Sequence, residues 1–564
     1  MHEKNTYWQR KMGRRTVIRG ASMAGVGAAA YALTGCGDDD ATEPSTTPDG
    51  LLPTAVSSPV VTQQPKPGGS LSFQLSQNPP SLDPYTQTSF VASYVQSMSY
   101  SKLYRFKAGT PEFSPTDQTM EPDLAQAMPE QPDEMTYVFK IKPNVTTHNG
   151  RAITAEDVRY AFDRYINYEK SVHKTGLAFI DKMTVTDANT LTVTSKYPYA
   201  DTVNYLGGNL GTWISPKEIA ESPDAATKMD GTGPFMLSEF KPNVSLTWKK
   251  NPNYFDKPFP YLDEVTAYIT MDESKRVVDF STKSVDLSWQ FSAQLRDQLK
   301  QQRPDAKFEP VQGIAYYIHM RTDRPPFNDK RVRQALSMGL DRKAMRDATS
   351  KGEGVPDQLY FVGYDYARQV KDLPQAKYWE HNIAEARKLL DAALGAGTEI
   401  DVTLEHIDAA AYGQAFADHG TLAAAQLKAI GMNVKDQPMP YAQYISSVYQ
   451  GNYEGIGMAG RAIYYWMDYP TEQFTMKPRR GRINLSYVND AKLEDLLDKQ
   501  RGQFKLEERV ATVRQIEELV AEEQYQVYFS TDTRSYFWDP SLVNYRATAW
   551  YPYTHLMKGW RDKA

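Results

Sequence analysis

The stretch "GRAIYYWMDYPTEQF" places charged groups among large aromatic side chains. Asp468 stands beside Trp466 and Tyr469, with Tyr464 and Arg461 a few residues upstream. Isolated charges next to aromatic rings suit a cleft that excludes water and pairs with the charged end of a ligand. A buried carboxylate needs a partner, because burying an unpaired charge is costly. The alternative interpretation is a structural aspartate that caps the turn following it.

Patterns typical of catalytic sites occur only in fragments. Ser99 and Lys102, like Ser171 and Lys174, fit S-x-x-K, but the S-D-N and K-T-G motifs that accompany it in serine enzymes are missing from the sequence. The sequence also lacks G-x-S-x-G and H-E-x-x-H, and its eight histidines show no spacing for a zinc-binding helix. We therefore predict no catalytic residues, no metal site and no cofactor.

Gly455, Gly457 and Gly460 form a literal G-x-G-x-x-G. A dinucleotide site needs this motif between a strand and a helix, with an acidic residue about 20 positions later. The aromatic stretch that follows here is a poor helix start. The sequence therefore predicts glycines in a loop or at the end of a strand.

The single cysteine, Cys36, follows a basic stretch and a short apolar run, and it ends the sequence "LTGC". The run is shorter than the roughly 20 apolar residues that span a bilayer, and it is typical of a secretory signal. Arg14 and Arg15 resemble a twin-arginine export signal. "LTGC" resembles the bacterial lipobox, whose cysteine is diacylated and becomes the first residue. We predict a signal peptide over 1–35 and lipidation at Cys36, which anchors the protein outside the cytoplasmic membrane.

Composition excludes several other classes. The net charge is −5, and residues 1–35 alone carry six basic side chains and one acid, so the remainder is clearly acidic. Nucleic-acid binding is therefore not expected, since it depends on basic side chains that neutralise phosphates. One cysteine excludes a framework of internal disulfides. Residues 36–68, rich in Asp, Thr, Ser and Pro, predict a disordered tether.

The folded part begins near residue 69 and has the patterns of a mixed α/β protein. Between about 399 and 439, "EIDVTLEHI" and "MNVKDQPM" predict strands on either side of a helix that ends at Gly431. Such a unit pairs its strands in parallel. Thr154 begins another helix in capping-box style, with Asp157 at the third position. Apolar residues between Val510 and Val520 predict a further amphipathic helix.

Several blocks together resemble one protein family. They are "SLDP", "MEPDLAQAMPEQPDEMTYVFKIKPNVTTHNGRAITAEDVRYAFDRYI", "GTGPFMLSEFKPNVSLTWKKNPNYF" and "PPFNDKRVRQALSMGLDRKAM", continued by "AQLKAIGMNV" and "YFSTDTRSYFWDPSLVN". In this order and spacing they resemble the family-5 extracellular solute-binding proteins, the oligopeptide, dipeptide and nickel binders of ABC importers. The resemblance runs from about residue 70 to the end of the chain.

The resemblance implies an α/β fold of the periplasmic-binding-protein type (class C, or type II). Two lobes are joined by a hinge, and an extra middle domain is inserted into the first lobe. The implied ranges are 69–100, 210–312 and 531–564 for lobe I, 101–209 for the inserted domain and 313–530 for lobe II.

The resemblance also implies roles for particular residues. Asp468 matches the aspartate that takes the α-ammonium of a peptide ligand, and Arg461 lies near an arginine that reaches ligand carboxylates. Thr471 and Glu472 stand where the family usually has Asp-Pro, which leaves the ligand class open. The residues expected to bind ligand are Asp468, Arg461, Trp466, Tyr464, Thr88 and Phe90.

The expected function is capture of di- or oligopeptides by lobe closure, followed by delivery to the permease subunits of an ABC importer. The expected protein is a monomer, anchored by lipid in the periplasm or on the outer face of the cytoplasmic membrane. Alternatives on the same scaffold are binding of nickel or a metal chelate, or of an oligosaccharide. Alternatives from other classes are a surface chaperone or sensory protein, and an exported hydrolase, which the absence of a catalytic constellation in the sequence disfavours.

Overall fold

A computed structural model describes residues 63–562, apart from gaps at 87–88, 175, 209–210, 291, 357, 361–363, 365, 410–412, 462–465, 477–483 and 550–553. The predicted signal peptide, the lipidation site Cys36 and all but the last six residues of the predicted tether lie outside this description, as do Thr88 and Tyr464. The description therefore covers the predicted folded part of the chain.

Eighteen strands form one large sheet and three smaller ones in the described part of the chain. They are β1 Ser70–Leu75, β2 Tyr104–Phe106, β3 Met120–Pro122, β4 Glu130–Asp133, β5 Thr136–Lys140, β6 Ile180–Asp187, β7 Thr190–Ser195, β8 Phe235–Lys241, β9 Ser245–Lys250, β10 Glu264–Ile269, β11 Leu287–Gln290, β12 Lys307–Met320, β13 Ile400–Ile407, β14 Met432–Met439, β15 Ile456–Arg461, β16 Gln526–Trp538, β17 Leu542–Val543 and β18 Trp560–Arg561.

The α-helices are α1 Phe90–Ser99, α2 Ala155–Asn167, α3 Thr202–Gly208, α4 Lys217–Ala220, α5 Glu273–Ser281, α6 Ala293–Gln302, α7 Lys330–Met338, α8 Arg342–Ser350, α9 Ile383–Leu394, α10 Gln414–Leu427, α11 Tyr441–Ser447, α12 Ala491–Arg501 and α13 Leu506–Glu523. Short 3₁₀ helices cover Val370–Asp372, Ala376–Trp379, Lys428–Ile430, Tyr469–Phe474 and Thr554–Lys558.

The large sheet has ten strands in the order β14-β13-β15-β12-β16-β11-β1-β10-β9-β8. Its two long central strands, β12 and β16, pair with each other in antiparallel fashion over most of their length. β12 also pairs with β15 on one side, and β16 pairs with β11 on the other. The pairing of β12 with β16 shifts register between Gln312 and Ala315. The two strands thus connect the halves of the sheet, and the predicted lobe boundaries at 312 and 531 fall inside them.

Each half of the sheet has its own hydrophobic core. The first core surrounds β1 and β8–β10 and includes Phe73 and Trp248. It also includes Phe139 of the separate sheet β4-β5-β7-β6, which lies within the predicted inserted domain. The second core surrounds β13–β15 with α7, α10 and α13, and it includes Leu404 and Val513. This separation agrees with two lobes that each bury enough apolar surface to be stable.

The clearest local predictions are confirmed. β13 and β14 pair in parallel around α10, and Gly431 ends the connection with φ +88°. At the start of α2 the carboxylate of Asp157 accepts from the main-chain N–H of Thr154 at 2.8 Å, as in a capping box. The late amphipathic pattern forms α13. The glycines of G-x-G-x-x-G lie just before β15 and within it, so the motif is part of a strand, whereas a dinucleotide site places it in the turn from a strand to a helix.

Candidate functional site

Asp468 lies at the start of the 3₁₀ helix Tyr469–Phe474 and is only 2% exposed. Gln500 donates from Nε2 to Oδ1 at 2.6 Å, and Arg501 donates from Nε to Oδ2 at 2.7 Å. The hydroxyl of Thr471 donates to the main-chain carbonyl of Asp468 at 2.7 Å, which fixes the turn. Each carboxylate oxygen therefore accepts a strong hydrogen bond from α12. Oδ1 also accepts a longer one, 3.3 Å, from the hydroxyl of Thr471, whereas Oδ2 still has a lone pair for a further donor.

A second buried ion pair contacts the first. Asp201 accepts from Arg509, at 2.9 Å between Oδ1 and Nη1 and through a second contact between Oδ2 and Nη2. Arg509 also donates from Nε to Gln500 Oε1 at 3.0 Å, and the main-chain N–H of Asp468 donates to Asp201 Oδ2 at 3.2 Å. Five residues (Asp201, Asp468, Gln500, Arg501 and Arg509) thus form one network, which we call the buried charge network.

The buried charge network joins the two halves of the molecule. Asp201 precedes α3, and Tyr205 and Leu206 on this helix belong to the first core. Arg509 lies on α13, whose residues Val513 and Ile516 belong to the second core. The lobes are therefore in direct contact here, through groups that water reaches poorly. Interactions between charges are strong at such a site because the local dielectric constant is low.

Aromatic rings surround the buried charge network. The ring of Trp466 packs edge-on against Tyr205 at 5.5 Å between centroids and against Tyr469 at 5.1 Å. Trp466 and Tyr469 belong to the first core, whereas the intervening Met467 belongs to the second. Trp466 donates from Nε1 to Oε1 of Glu472 at 3.4 Å. The segment that carries Asp468 therefore packs against both cores.

The side chain of Arg461, the last residue of β15, does not point toward Asp468 but toward main-chain carbonyls of the second lobe. It is 3% exposed and donates from Nη1 to the carbonyl of Leu359 at 2.7 Å and from Nη2 to the carbonyl of Gln358. Its guanidinium lies over the ring of Tyr528, 5.0 Å from the centroid. The structure thus gives Arg461 main-chain partners within the second lobe, and it brings Asp468 and Trp466 together without placing Arg461 in the buried charge network.

The other residues predicted from the resemblance are only partly described. Phe90 is the first residue of α1, follows the N-cap Ser89, and packs half-buried against the first core. Thr88 and Tyr464 lie outside the described residues. The roles of all these residues in ligand binding stay predictions.

Sequence reasoning missed Arg501, Gln500, Arg509 and Asp201. Asp201 and Arg509 are 308 positions apart, so no local spacing could have connected them. Gln500 and Arg501 end an ordinary amphipathic helix with the sequence "AKLEDLLDKQR". The available signal was the argument that a buried Asp468 needs a partner, which predicts that a cation is nearby without saying which one.

A separate cavity of about 40 Å³ lies in the first lobe, lined by Lys102, Arg105 and Trp213 among others. The ammonium group of Lys102 lies 4.1 Å from the ring centroid of Trp213, and burial lowers the pKa of Lys102 to about 7. Ser99, the other member of the S-x-x-K match, donates its hydroxyl proton to the carbonyl of Phe235 at 3.1 Å. A main-chain carbonyl cannot serve as the general base that a nucleophile requires.

The described ranges contain neither a membrane-spanning helix nor a cluster of metal-binding side chains. None of the helices in these ranges is both long enough and apolar enough to cross a membrane. Within the same ranges, no three His, Cys, Asp or Glu side chains are grouped so as to hold a metal ion.

Comparison with known proteins relates the chain to binding proteins. The model of the bacterial extracellular solute-binding proteins, family 5 Middle, matches residues 119–481. The chain is 26% identical over 316 residues to the glutathione-binding protein GsiB of Pectobacterium atrosepticum, a match that covers 56% of this chain and 59% of GsiB. It is 23% identical over 492 residues to the oligopeptide-binding protein AppA of Bacillus subtilis, covering 82% of this chain and 86% of AppA.

Solved structures show the same fold. The structure of AppA from Bacillus subtilis with a nonapeptide superimposes with a TM-score of 0.75 at 20% identity, covering 89% of this chain and all of AppA. The structure of AgaA with agropinic acid, from A. tumefaciens R10, gives a TM-score of 0.74 at 24% identity, covering 87% of this chain and 98% of AgaA. The expected two-lobed periplasmic-binding fold of type II is therefore confirmed.

The family model covers well over half of the 564 residues, and the solved structures share the fold of this chain over most of its length. This chain belongs to family 5 of the bacterial extracellular solute-binding proteins, the substrate-binding proteins of ABC importers.

Proposed function

We propose that this protein is the lipid-anchored receptor of an ABC importer and that it captures di- or oligopeptides between its two lobes. The relatives GsiB and AppA are named as binding proteins for glutathione and for oligopeptides, and both ligands contain peptide bonds. The relatives are binding proteins and not enzymes, which supports a function without turnover.

One observation carries the proposal: polar and aromatic groups of both lobes meet in a buried contact around Asp468. Tyr205 and Asp201 come from the first lobe, and Trp466 and Arg509 from the second. A ligand bound between the lobes would become enclosed by such groups, and it would favour the closed arrangement by the difference between its affinities for the closed and open states. Two strands, β12 and β16, connect the lobes and are suited to act as the hinge.

Asp468 is proposed to accept the α-ammonium of the ligand. Its Oδ2 accepts from Arg501 and keeps a lone pair that an ammonium could use, whereas Oδ1 accepts from Gln500 and, at 3.3 Å, from the hydroxyl of Thr471. Trp466 would provide an apolar wall. Arg461, Tyr464, Thr88 and Phe90 are retained as proposed contacts, with Arg461 acting on a ligand carboxylate.

Delivery to a permease completes the proposed function. Diacylation at Cys36 would hold the protein at the membrane surface, and a flexible tether over 36–68 would reach roughly 30 Å. Confinement to this distance raises the effective concentration of the receptor at the permease. The protein would then bind the ligand, close around it, dock on the permease and release the ligand without catalysing a reaction.

The test is native mass spectrometry of the full chain as purified, followed by calorimetry with di-, tri- and pentapeptides. The expected result is a co-purified mass that fragments as a peptide, and peptide binding with micromolar or tighter Kd. A bound sugar or nickel complex, together with no binding of any peptide, would replace the proposal by the corresponding alternative. Turnover of an added peptide would establish the hydrolase instead.

A further inference from the structure

Arg501 ends α12 and is 2% exposed. Its Nε donates to Oδ2 of Asp468 at 2.7 Å, which fixes one edge of the guanidinium. Its own main-chain carbonyl accepts from the N–H of Ala200 at 2.8 Å, so the helix end is attached to the segment that precedes α3. Arg501 therefore lies at the contact between the two lobes.

The other edge of this guanidinium is buried without hydrogen bonds. Neither Nη1 nor Nη2 of Arg501 has an acceptor within hydrogen-bonding distance in the structure as described, and both atoms are inaccessible to water. Asp498, one turn earlier on α12, is 3.7 Å from Nη1, which is an ionic contact but too long for a hydrogen bond. The neighbouring Arg509 is different, because its Nη1 and Nη2 both donate to Asp201.

Buried N–H groups without acceptors are rare in native proteins, because each one loses its hydrogen bonds to water on folding. Four such hydrogens on one charged group require an explanation. Because Arg501 lies at the contact between lobes, the missing acceptor is one that enters when the lobes are open and is enclosed when they close.

The charges nearby select the kind of acceptor. A cationic group is repelled by the guanidinium, and an apolar group leaves the N–H donors unsatisfied. A carboxylate would join Asp201, Asp468 and Asp498, which already outnumber Arg501 and Arg509. A neutral oxygen satisfies the donors without adding negative charge. The main-chain amide carbonyl is a strong neutral acceptor, and every residue of a peptide carries one.

We propose that Nη1 and Nη2 of Arg501 donate to a main-chain amide carbonyl of the bound ligand. This inference rests on the proposed function and deepens it, because it makes Arg501 a ligand contact and gives the ligand an amide oxygen beside the ion pair with Asp468. Arg501 would then bind the main chain of the ligand, whereas Asp468 would bind its α-ammonium group. Such recognition is independent of the ligand's side chains.

The experiment measures Kd by calorimetry for a tripeptide that binds the full chain, and for analogues in which one amide at a time is replaced by an (E)-alkene. One analogue is expected to bind the wild type about tenfold or more weakly, as for a lost hydrogen bond to a charged group. In R501Q the same replacement should change Kd by less than threefold. Amidation of the C-terminus should change Kd by the same factor in wild type and R501Q, because the ligand carboxylate is proposed to bind Arg461 and not Arg501.

A matched control is R333Q. Arg333 is also buried and ion-paired, with Glu523 at 3.0 Å, but it lies on α7 and away from the network. R333Q should retain the full effect of the alkene replacement. R501K keeps a cation beside Asp468 and provides a second variant if R501Q does not fold. In R501K the alkene replacement should weaken binding less than it does in the wild type.

The outcomes separate the two proposals. If peptides bind but every alkene analogue weakens wild type and R501Q equally, water satisfies Arg501 and the inference is wrong while the proposed function stands. If amidation weakens binding tenfold in wild type alone, the acceptor is a carboxylate and the inference is again wrong. If no peptide binds at all, the proposed function itself fails.

Discussion

Arg509 and Asp201 form an ion pair whose two side chains are both 0% exposed, and this pair bridges the two lobes. The remaining donor of Arg509 and the main-chain N–H of Asp468 connect it to the Asp468–Arg501 pair. A buried ion pair offsets its desolvation only when further hydrogen bonds complete it, and this one has them. Removing one partner leaves the other charge buried and unpaired.

We therefore expect D201N to destabilise the protein strongly. The loss of one member of a buried pair typically lowers the free energy of unfolding by about 3–5 kcal/mol. Urea denaturation of the purified full chain measures this change in the free energy of unfolding. The control is D347N, which breaks an exposed pair with Lys343 on α8 and should cost at most about 1 kcal/mol. Equal stability of D201N and wild type would show that the pair is not buried in solution.

The sequence predicted most of the fold because its signals are local. The strand–helix–strand pattern around α10 depends on about 40 consecutive residues, and the capping box at Thr154 and the apolar positions of α13 depend on fewer than 20. The family blocks supplied the arrangement of lobes. The pairing of β12 with β16 joins residues some 200 positions apart, and no periodicity within one strand specifies its partner.

The site was less predictable for the same reason. The aromatic segment around Asp468 could be found because its residues are adjacent. Its partners Arg501 and Asp201 are 33 and 267 positions away, on elements whose sequences show only an amphipathic helix and a turn. Arg461 illustrates the converse, since proximity in sequence suggested a shared site but the strand directs its side chain to the carbonyls of Gln358 and Leu359.

Acid should destabilise the protein partly through His419. Burial lowers the pKa of His419 to about 4, and its Nδ1–H donates to the carbonyl of Ala415 at 2.7 Å, so the imidazole is neutral in the fold. Between pH 6.5 and about 4 the unfolded chain binds a proton that the folded chain does not. Stability therefore falls as the pH decreases through this window, by about 3 kcal/mol in total, and levels off below it.

The measurement is the urea midpoint of wild type and H419Q from pH 7.5 to 4. H419Q should be less stable at pH 7.5, yet its stability should decline less steeply with falling pH. The control H381Q removes a histidine whose side chain is 40% exposed, and it should leave the wild-type slope unchanged. Parallel curves for H419Q and wild type would contradict the assignment.

Strand β12 should not tolerate a side chain at Gly313. A Cβ there would lie 2.0 Å from Oδ1 of Asp532, and that carboxylate is held by the N–H of Ile314 and by the hydroxyl of Tyr316 at 2.7 Å. G313A must therefore displace a half-buried, hydrogen-bonded carboxylate or bend the strand, and we expect a loss of about 1–3 kcal/mol in the free energy of unfolding. G502A, where the nearest atom is 3.8 Å away, is the matched control and should be nearly neutral. If G313A leaves the free energy of unfolding unchanged, the register shift between β12 and β16 at this position accommodates the added methyl group without strain.

Cys36 should determine where the protein is found in the cell. If it is diacylated, C36S loses its two acyl chains, and each buried CH₂ contributes about 0.8 kcal/mol to membrane binding. Cells labelled with radioactive or alkyne-tagged palmitate should incorporate label into wild type and not into C36S. The variant should also move from the membrane fraction to the soluble fraction. As a control for folding, purified C36S should bind ligand as tightly as the wild type. Incorporation of label into C36S would refute lipidation at Cys36.

Trp466 should report on the opening of the lobes. Its ring is 2% exposed and contacts Tyr205 across the lobe contact, so separation of the lobes would bring the indole into water and shift its emission to longer wavelength. Addition of a binding peptide should therefore shift the emission of wild type to shorter wavelength as the lobes close. W466F should lose most of this change although eight other tryptophans remain in the chain. As a control, W379F removes a buried tryptophan that belongs to the second core alone, and it should keep the ligand-dependent shift. A shift that persists unchanged in W466F would mean that this contact stays closed whether or not ligand is bound.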